Sequence, residues 1–415
     1  MAKIKARRSQ PSKIQRFLAH DPQTLATILA LAIVGVAIGL ITLVPSTQPF
    51  EGSLVVYQLG FTSSQSGQLL LNTVGPLQKL SGSGQQDSFI LYGPFISKME
   101  PRLNKLSELK IRLPNASSRW TIEPVTLQDI PAPAAGKPPL IPPDLVQDSR
   151  LVLKQLALQE NDQVSKLKYD PLSRTLSFVL KQGVAPSAPD QLELKPGAPL
   201  KITLQDYELS NLQGTPDRLE LIVLEPLEFF PLASTTLLSL QFPPGKQPAL
   251  WGDLAVKQVE LTDVQQNSSD FTNNILESTI LSGKVRMSDR QLDLQAHQFL
   301  RINGEWQNLP GIETLLRLKV TEPEKTLAKT DADTAAKTEE LEQPQGLQVD
   351  ISGHARTLEV GLNYRLPVTR IQATLIERWF PKDIAIAVIS FLSAIFASLI
   401  GLLINRFLTK PSSGS

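Results

Sequence analysis

No cysteine occurs in the 415 residues, and this one absence excludes thiol nucleophiles, thiolate zinc sites, iron–sulfur ligation and disulfide staples together. Histidine is scarce as well, with His20, His297 and His354 the whole supply. His20 precedes an apolar run, and the other two sit in strand-like sequence; a metal or acid–base site would need the fold to bring that pair beside a carboxylate such as Asp350. Gly-x-Ser-x-Gly, Ser-x-x-Lys, His-Glu-x-x-His and Walker A patterns are all missing, so hydrolase and nucleotide chemistry lack their usual handles. Asp331, Asp333, Glu339 and Glu342 fall at positions 1, 3, 9 and 12 of an EF-hand loop. Ala335 then stands where the fifth-position ligand belongs, and Ala336 replaces the turn glycine. The expectation is a protein with no catalytic residue, no metal and no cofactor.

Ionisable residues are also absent from two apolar runs, 24–44 and 384–404. At about 1.5 Å per helical residue each run is about 31 Å long, the thickness of a bilayer's hydrocarbon core, so each reads as a transmembrane helix. Before the first stand Lys3, Lys5, Arg7, Arg8, Lys13 and Arg16, with Asp21 the sole acid; after the second stand Arg406 and Lys410. Both flanks are therefore expected on the cytoplasmic or stromal side, and the stretch between them in the periplasm, lumen or extracellular space. A cleaved signal peptide would have a shorter apolar core and a small-x-small site, which Val44-Pro45-Ser46-Thr47 lacks. Setting aside the flanking charges turns 41 basic and 40 acidic residues into 33 and 39. The exterior part is thus acidic by about six charges, which argues against nucleic acid as its partner. A large exterior region without disulfides favours a bacterial plasma membrane or a photosynthetic membrane.

Small residues recur at helical spacing within both runs. Gly35 and Gly39 form Gly-x-x-x-Gly in the first; Ser393, Ala397 and Gly401 repeat at four in the second, with Ser390, Ala394 and Ser398 on the adjoining face. Such stripes let helix backbones approach closely, so packing of the two helices on each other or on a partner is expected. Trp379 and Phe380 supply an interfacial anchor before the second helix.

Between the helices the pattern is read in pieces. A basic tail (1–23) and the first helix (24–44) lead to a small α+β subdomain over 45–130. It has a strand over 53–61, a helix over 68–80 from Leu70, Val74 and Leu77, a strand over 88–92 and a helix from Met99, Leu103, Leu106 and Leu109. Six prolines in 131–143 mark an extended spacer. From 144 to 376 the period is two: Leu176, Phe178 and Leu180 make one strand, and Leu192 and Leu194 turn through Pro196-Gly197 into Leu200, Ile202 and Leu204. Leu358 to Leu366 makes the last strand, with Glu359 on its polar face. The tract 321–346 has too few apolar residues to fold and is expected as a disordered, overlong hairpin loop between strands 316–320 and 347–351. An interfacial segment with the second helix (377–404) and a tail (405–415) complete the chain.

The fold class expected is a two-span membrane protein with an α+β, mostly antiparallel β exterior region, a sandwich or open barrel. Its expected role is non-enzymatic: a membrane-anchored extracytoplasmic binding or assembly module for an envelope or membrane complex. The partners are the lipid bilayer and other membrane proteins or a second copy, met through the small-residue faces. The placing of a helix at each end of an exterior body, with both flanks inside, resembles bacterial polysaccharide co-polymerases, which implies a regulator of glycan export. That resemblance is topological, and the β-rich pattern departs from it. An extracytoplasmic enzyme is the third class.

Overall fold

The computed structural model describes residues 22–43, 46–130, 141–183, 191–195, 199–212, 214, 216–225, 228–246, 250, 252–265, 275–302, 314–320, 346–363, 366–372, 374 and 382–409. It is mostly antiparallel β-sheet, 56% strand against three helices, which sets the class. Two units are distinguished: Pro49–Ile371, and the residues that precede and follow it.

The second unit holds the apolar helices α1 (Pro22–Leu43) and α3 (Lys382–Thr409). Asp383–Asn405 is long and apolar enough to cross a membrane, with a mean hydropathy of 2.5; the apolar part of α1, Leu25–Leu40, is shorter. The two helices lie against each other.

Within Pro49–Ile371 the largest sheet has 15 strands. In spatial order these are Arg290–Leu294, Ile280–Met287, Gln48–Val56, Leu347–Ala355, Thr314–Val320, Asp253–Glu260, Leu59–Ser63, Gln163–Asp170, Thr175–Lys181, Thr235–Gln241, Lys79–Ser83, Arg119–Pro124, Leu200–Gln205, Arg218–Val223 and Phe95–Ile96. Period-two burial drives it: Leu176, Phe178 and Leu180 are buried while their neighbours face out. Two smaller sheets meet it through an aromatic cluster. Trp120 of the large sheet lies 4.5 Å, centroid to centroid, from Phe230 of the strand Phe229–Pro231. Phe230 lies 5.1 Å from Phe89 of the strand Gln86–Tyr92. The Trp120 indole fits because the residue directly across the ladder is Gly82, where a Cβ would collide with the indole ring.

Several sequence expectations change. The segment expected as a helix over 68–80 is the strand Gln68–Leu77. Its register slips between Leu69 and Leu71 and again between Val74 and Leu77, and each bulge adds a residue to the period of two, so the apolar spacing imitates a helix. The second expected helix is a short 3-10 turn, Pro101–Lys105, capped by Glu100. The return to strand expected over 109–113 is the strand Glu108–Leu113, so Leu109, also expected to close the helix, is a strand residue paired with Leu91. The α+β character expected of 45–130 is therefore β with one 3-10 turn among the described residues. The strand expected over 53–61 is two, Gln48–Val56 and Leu59–Ser63. Strands Gln191–Leu194 and Leu200–Gln205 do not form the expected hairpin: the first pairs with Leu151–Leu158, the second with Arg119–Pro124. Glu359, expected on a solvent face, is buried on the middle strand of a three-stranded sheet between Arg301 at 3.4 Å and Arg370 at 3.3 Å. The opposed guanidinium groups make that burial tolerable.

Residues 131–140 of the proline run lie outside the described residues. Ile141 beyond them is buried with Ile96, Val125, Val146 and Ile222, and Pro143–Gln147 forms the short helix α2. The tract 321–345 also lies outside them, with its four EF-hand-like acids. The strands on either side of it do pair as expected, Leu316 opposite Ile351 and Val320 opposite Leu347.

Candidate functional site

Two rows of side chains cross the outward side of the large sheet, and most of each lies in a groove, with Asp293 and Ser177 just beyond the groove linings. The first groove, of about 420 Å³, includes Ser53, Lys284, Arg317, Asp350 and Asp253 in its lining. Antiparallel register places Asp293 opposite Lys284, Lys284 opposite Ser53, Asp350 opposite Arg317 and Arg317 opposite Asp253. The Ser53 hydroxyl donates to Asp350 Oδ1 at 2.7 Å, and the Arg317 guanidinium donates to both Asp253 oxygens at 2.7 and 3.0 Å. That bidentate bond holds the Asp253 carboxyl below the usual carboxylate range. Signs alternate along the row, so each charge is answered by its neighbour.

The second groove, of about 470 Å³, is different in kind. Its lining includes Ser81, Thr121, Thr203 and Ser239, bordered by Lys79, Arg119, Gln205 and Leu237. Register aligns Ser177 with Ser239, Ser239 with Ser81, Ser81 with Thr121 and Thr121 with Thr203. Five hydroxyl-bearing residues thus stand side by side on five adjacent strands. None of the five hydroxyls has a side-chain hydrogen bond among the described residues. Thr203 is only 8% exposed. On one border Lys79 pairs with Glu123 at 3.4 Å, and Lys201 pairs with Glu123 at 3.2 Å and Asp129 at 3.0 Å. Burial pushes the Lys201 ammonium down, but these carboxylates outweigh it and raise its pKa. On the other border Arg119 is exposed and has no ion pair among the described residues.

The sequence singles out none of these residues. Each of the five occupies the polar phase of an alternating strand, as in Leu176-Ser177-Phe178 or Ile202-Thr203-Leu204. The small hydroxyl at that phase is a visible signal, but the alignment of five strands is set by register, which the sequence does not display.

In the helix pair, the Phe396 ring of α3 faces Gly35 of α1, 3.2 Å from where a Cβ would sit; around Gly39 and Gly401 the same position is open. The partly buried stripe of α3 runs through Val388, Leu392, Ile395, Phe396, Leu399 and Leu403. Ser390, Ser393, Ala394, Ala397, Ser398 and Gly401 are exposed. Ser398 donates to Ala394 O one turn back at 2.9 Å, the usual local partner for a helical serine. Arg406 lies within α3; Trp379, Phe380, Lys410 and the basic residues from Lys3 to Arg16 lie outside the described residues, as does His20. His354 is exposed on the strand Leu347–Ala355, whereas His297 occupies a turn with φ +63° rather than a strand. Among the described residues no group of His, Cys, Asp and Glu is placed to hold a metal.

No family model, no curated protein and no solved structure matches the chain.

Proposed function

We propose that the chain is a two-span membrane protein whose β body serves, without catalysis, as an anchored extracytoplasmic binding or assembly module for a membrane or envelope complex. The observation that carries this reading is the placing of the β body, Pro49–Ile371, between two apolar helices in the chain. The 22 residues of α1 are about 33 Å long as a helix, enough to reach across a hydrocarbon core although its most apolar part is shorter. The basic residues before α1, with Arg406 in the last turns of α3 and Lys410 beyond it, favour both flanks inside, which puts the body outside. The outward grooves support binding, since they present fixed polar groups on a broad sheet face. In this reading the exposed serine, alanine and glycine side of α3 meets another membrane helix, while Phe396 and Gly35 hold the pair together.

Reporters fused before α1, after Gly346 and after α3 test the proposal. The expected result is inside, outside and inside, with a defined complex or homo-oligomer recovered in mild detergent. A cytoplasmic middle reporter overturns it.

A further inference from the structure

We propose that the hydroxyl groove binds an extended acidic oligosaccharide laid across the strands, its sugar hydroxyls on the row Ser177, Ser239, Ser81, Thr121 and Thr203 and a carboxylate on Arg119. This gives the binding module a ligand class; it rests on the preceding reading only for the side of the membrane where the ligand is met. Adjacent strands lie roughly 4.8 Å apart, so the row extends over roughly 19 Å and offers about one hydroxyl per sugar ring. Each hydroxyl can donate and accept at once, as a sugar hydroxyl does, so the two sets satisfy each other without a fixed polarity.

Thr203 points to a ligand independently of the row. It is more than nine-tenths buried, it lines the groove, and its hydroxyl has no partner among the described residues. The residue is buried but its hydroxyl oxygen is not among the fully buried partnerless atoms, so it is reachable from the groove by a ligand group. Arg119 adds charge selectivity. Its guanidinium is exposed beside the row and has no ion pair among the described residues, with a fork that matches a carboxylate, whereas Lys79 across the groove is already engaged by Glu123. Leu237, 47% exposed at the border, provides an apolar contact for the C–H face of a sugar ring. The charged and amide borders favour a solute carrying its own hydroxyls and an anionic group over an ordered layer of water.

The full-length protein in lipid nanodiscs is titrated calorimetrically with hexagalacturonate and with cellohexaose. Saturable binding of the acidic hexamer is expected, with the neutral one about tenfold weaker, the worth of one charge-assisted hydrogen bond. Arg119→Ala should bring the acidic hexamer to the affinity of the neutral one. Thr121→Val combined with Thr203→Val preserves side-chain shape, removes two hydroxyls and should weaken both hexamers about tenfold. If that pair fails to fold, as read by its thermal melt, Ser81→Ala is measured in its place, with a smaller loss for both hexamers expected. Absence of saturable binding, equal affinity for the two hexamers, or unchanged affinity in the variants overturns the proposal. Reporter fusions that contradict the two-span topology leave this titration unaffected, so the two readings fail separately.

Discussion

The charged row and the hydroxyl row cross the same sheet, yet they answer the demands of an outward polar face in opposite ways. From Asp293 to Asp253 the charges alternate in sign, with Arg317 gripping Asp253 with two donors and Ser53 donating to Asp350. From Ser177 to Thr203 the side chains are small, uncharged and without side-chain hydrogen-bond partners among the described residues. The first row is bonded within the sheet at Ser53–Asp350 and Arg317–Asp253, and its opposed charges contribute to cross-strand stability. The second leaves its donors and acceptors to solvent or ligand. A groove's volume does not separate the two cases, since the two are of similar size. What separates them is whether the polar groups are already engaged.

The comparison predicts its largest effect beneath the hydroxyl row, on the inward side of the same strands. The Trp120 indole fills the place of a Cβ on Gly82, both backbones are fixed in ladder register, and Phe230 backs the indole. Gly82→Ala should therefore cost about 3 kcal/mol, the upper end of overpacking penalties. In the charged region, Gly52→Ala meets only a Val285 methyl at 3.3 Å and should cost about 1 kcal/mol or less. Urea unfolding of the two variants measures both. Equal costs would show that the sheet near Trp120 yields, and the fixed geometry on which the hydroxyl row depends would be lost.

Next comes the charged row itself. Arg317→Met should lower the melting temperature at low ionic strength, and added salt should narrow the difference, because the pair with Asp253 is exposed. The Asp253 carboxyl titrates below its ordinary value through its bond to Arg317. Its contribution is then present at neutral pH and is lost as pH falls through that lowered pKa, so the wild-type and variant melts should converge in acid. A salt-independent difference would mean that Arg317 acts by packing and that the row is not held by charge.

How much of this is legible in the sequence depends on which interaction fixes each residue. The partners Val320 and Leu347 were readable because each ends an unambiguous apolar strand, and pairing them needs no further information. Gln68–Leu77 imitates a helix in sequence because bulges stretch its period toward that of a helix. The burial of Glu359 is not legible because it depends on Arg370 of the next strand and on Arg301 of a strand far away in sequence. The hydroxyl row was out of reach for a similar reason: Ser81 and Ser239 are neighbours only through register. Local pattern reaches elements and their inward faces; it does not reach what long-range pairing assembles on the outward face.

A smaller effect sharpens the contrast along one strand. Asp253 and Glu260 share the strand Asp253–Glu260, but only Asp253 has a cation; Glu260 lies across from Gly60 with no ion pair among the described residues. Burial of the carboxyl raises the Glu260 pKa, although the residue as a whole remains exposed. A carboxyl with a raised folded-state pKa favours folding fully in acid, and that benefit is lost as pH rises through the raised value. Glu260→Gln should therefore stabilise the protein at neutral pH, by less than about 1 kcal/mol given the exposure, and have no effect in acid. Melting temperatures across that pH range read the sign. A variant less stable than wild type at neutral pH would reveal a partner for Glu260.

The smallest effect predicted is the most diagnostic. Thr121 and Thr203 stand opposite each other in the row, each with a hydroxyl that bonds no described protein group. Replacing either with valine keeps the branched shape that suits a strand and removes only the hydroxyl. If these hydroxyls face solvent or a ligand, no hydrogen bond is broken on folding, and each substitution should leave stability within about 0.5 kcal/mol of wild type. Thr203 is the stricter of the two. Its burial means that any protein bond it made would be worth about 1 kcal/mol and would show in urea unfolding. A loss of that size in Thr203→Val would assign the hydroxyl a structural role and dissolve the distinction between the rows. A neutral result, together with lost oligosaccharide affinity in the double variant, would place the same hydroxyl in binding alone.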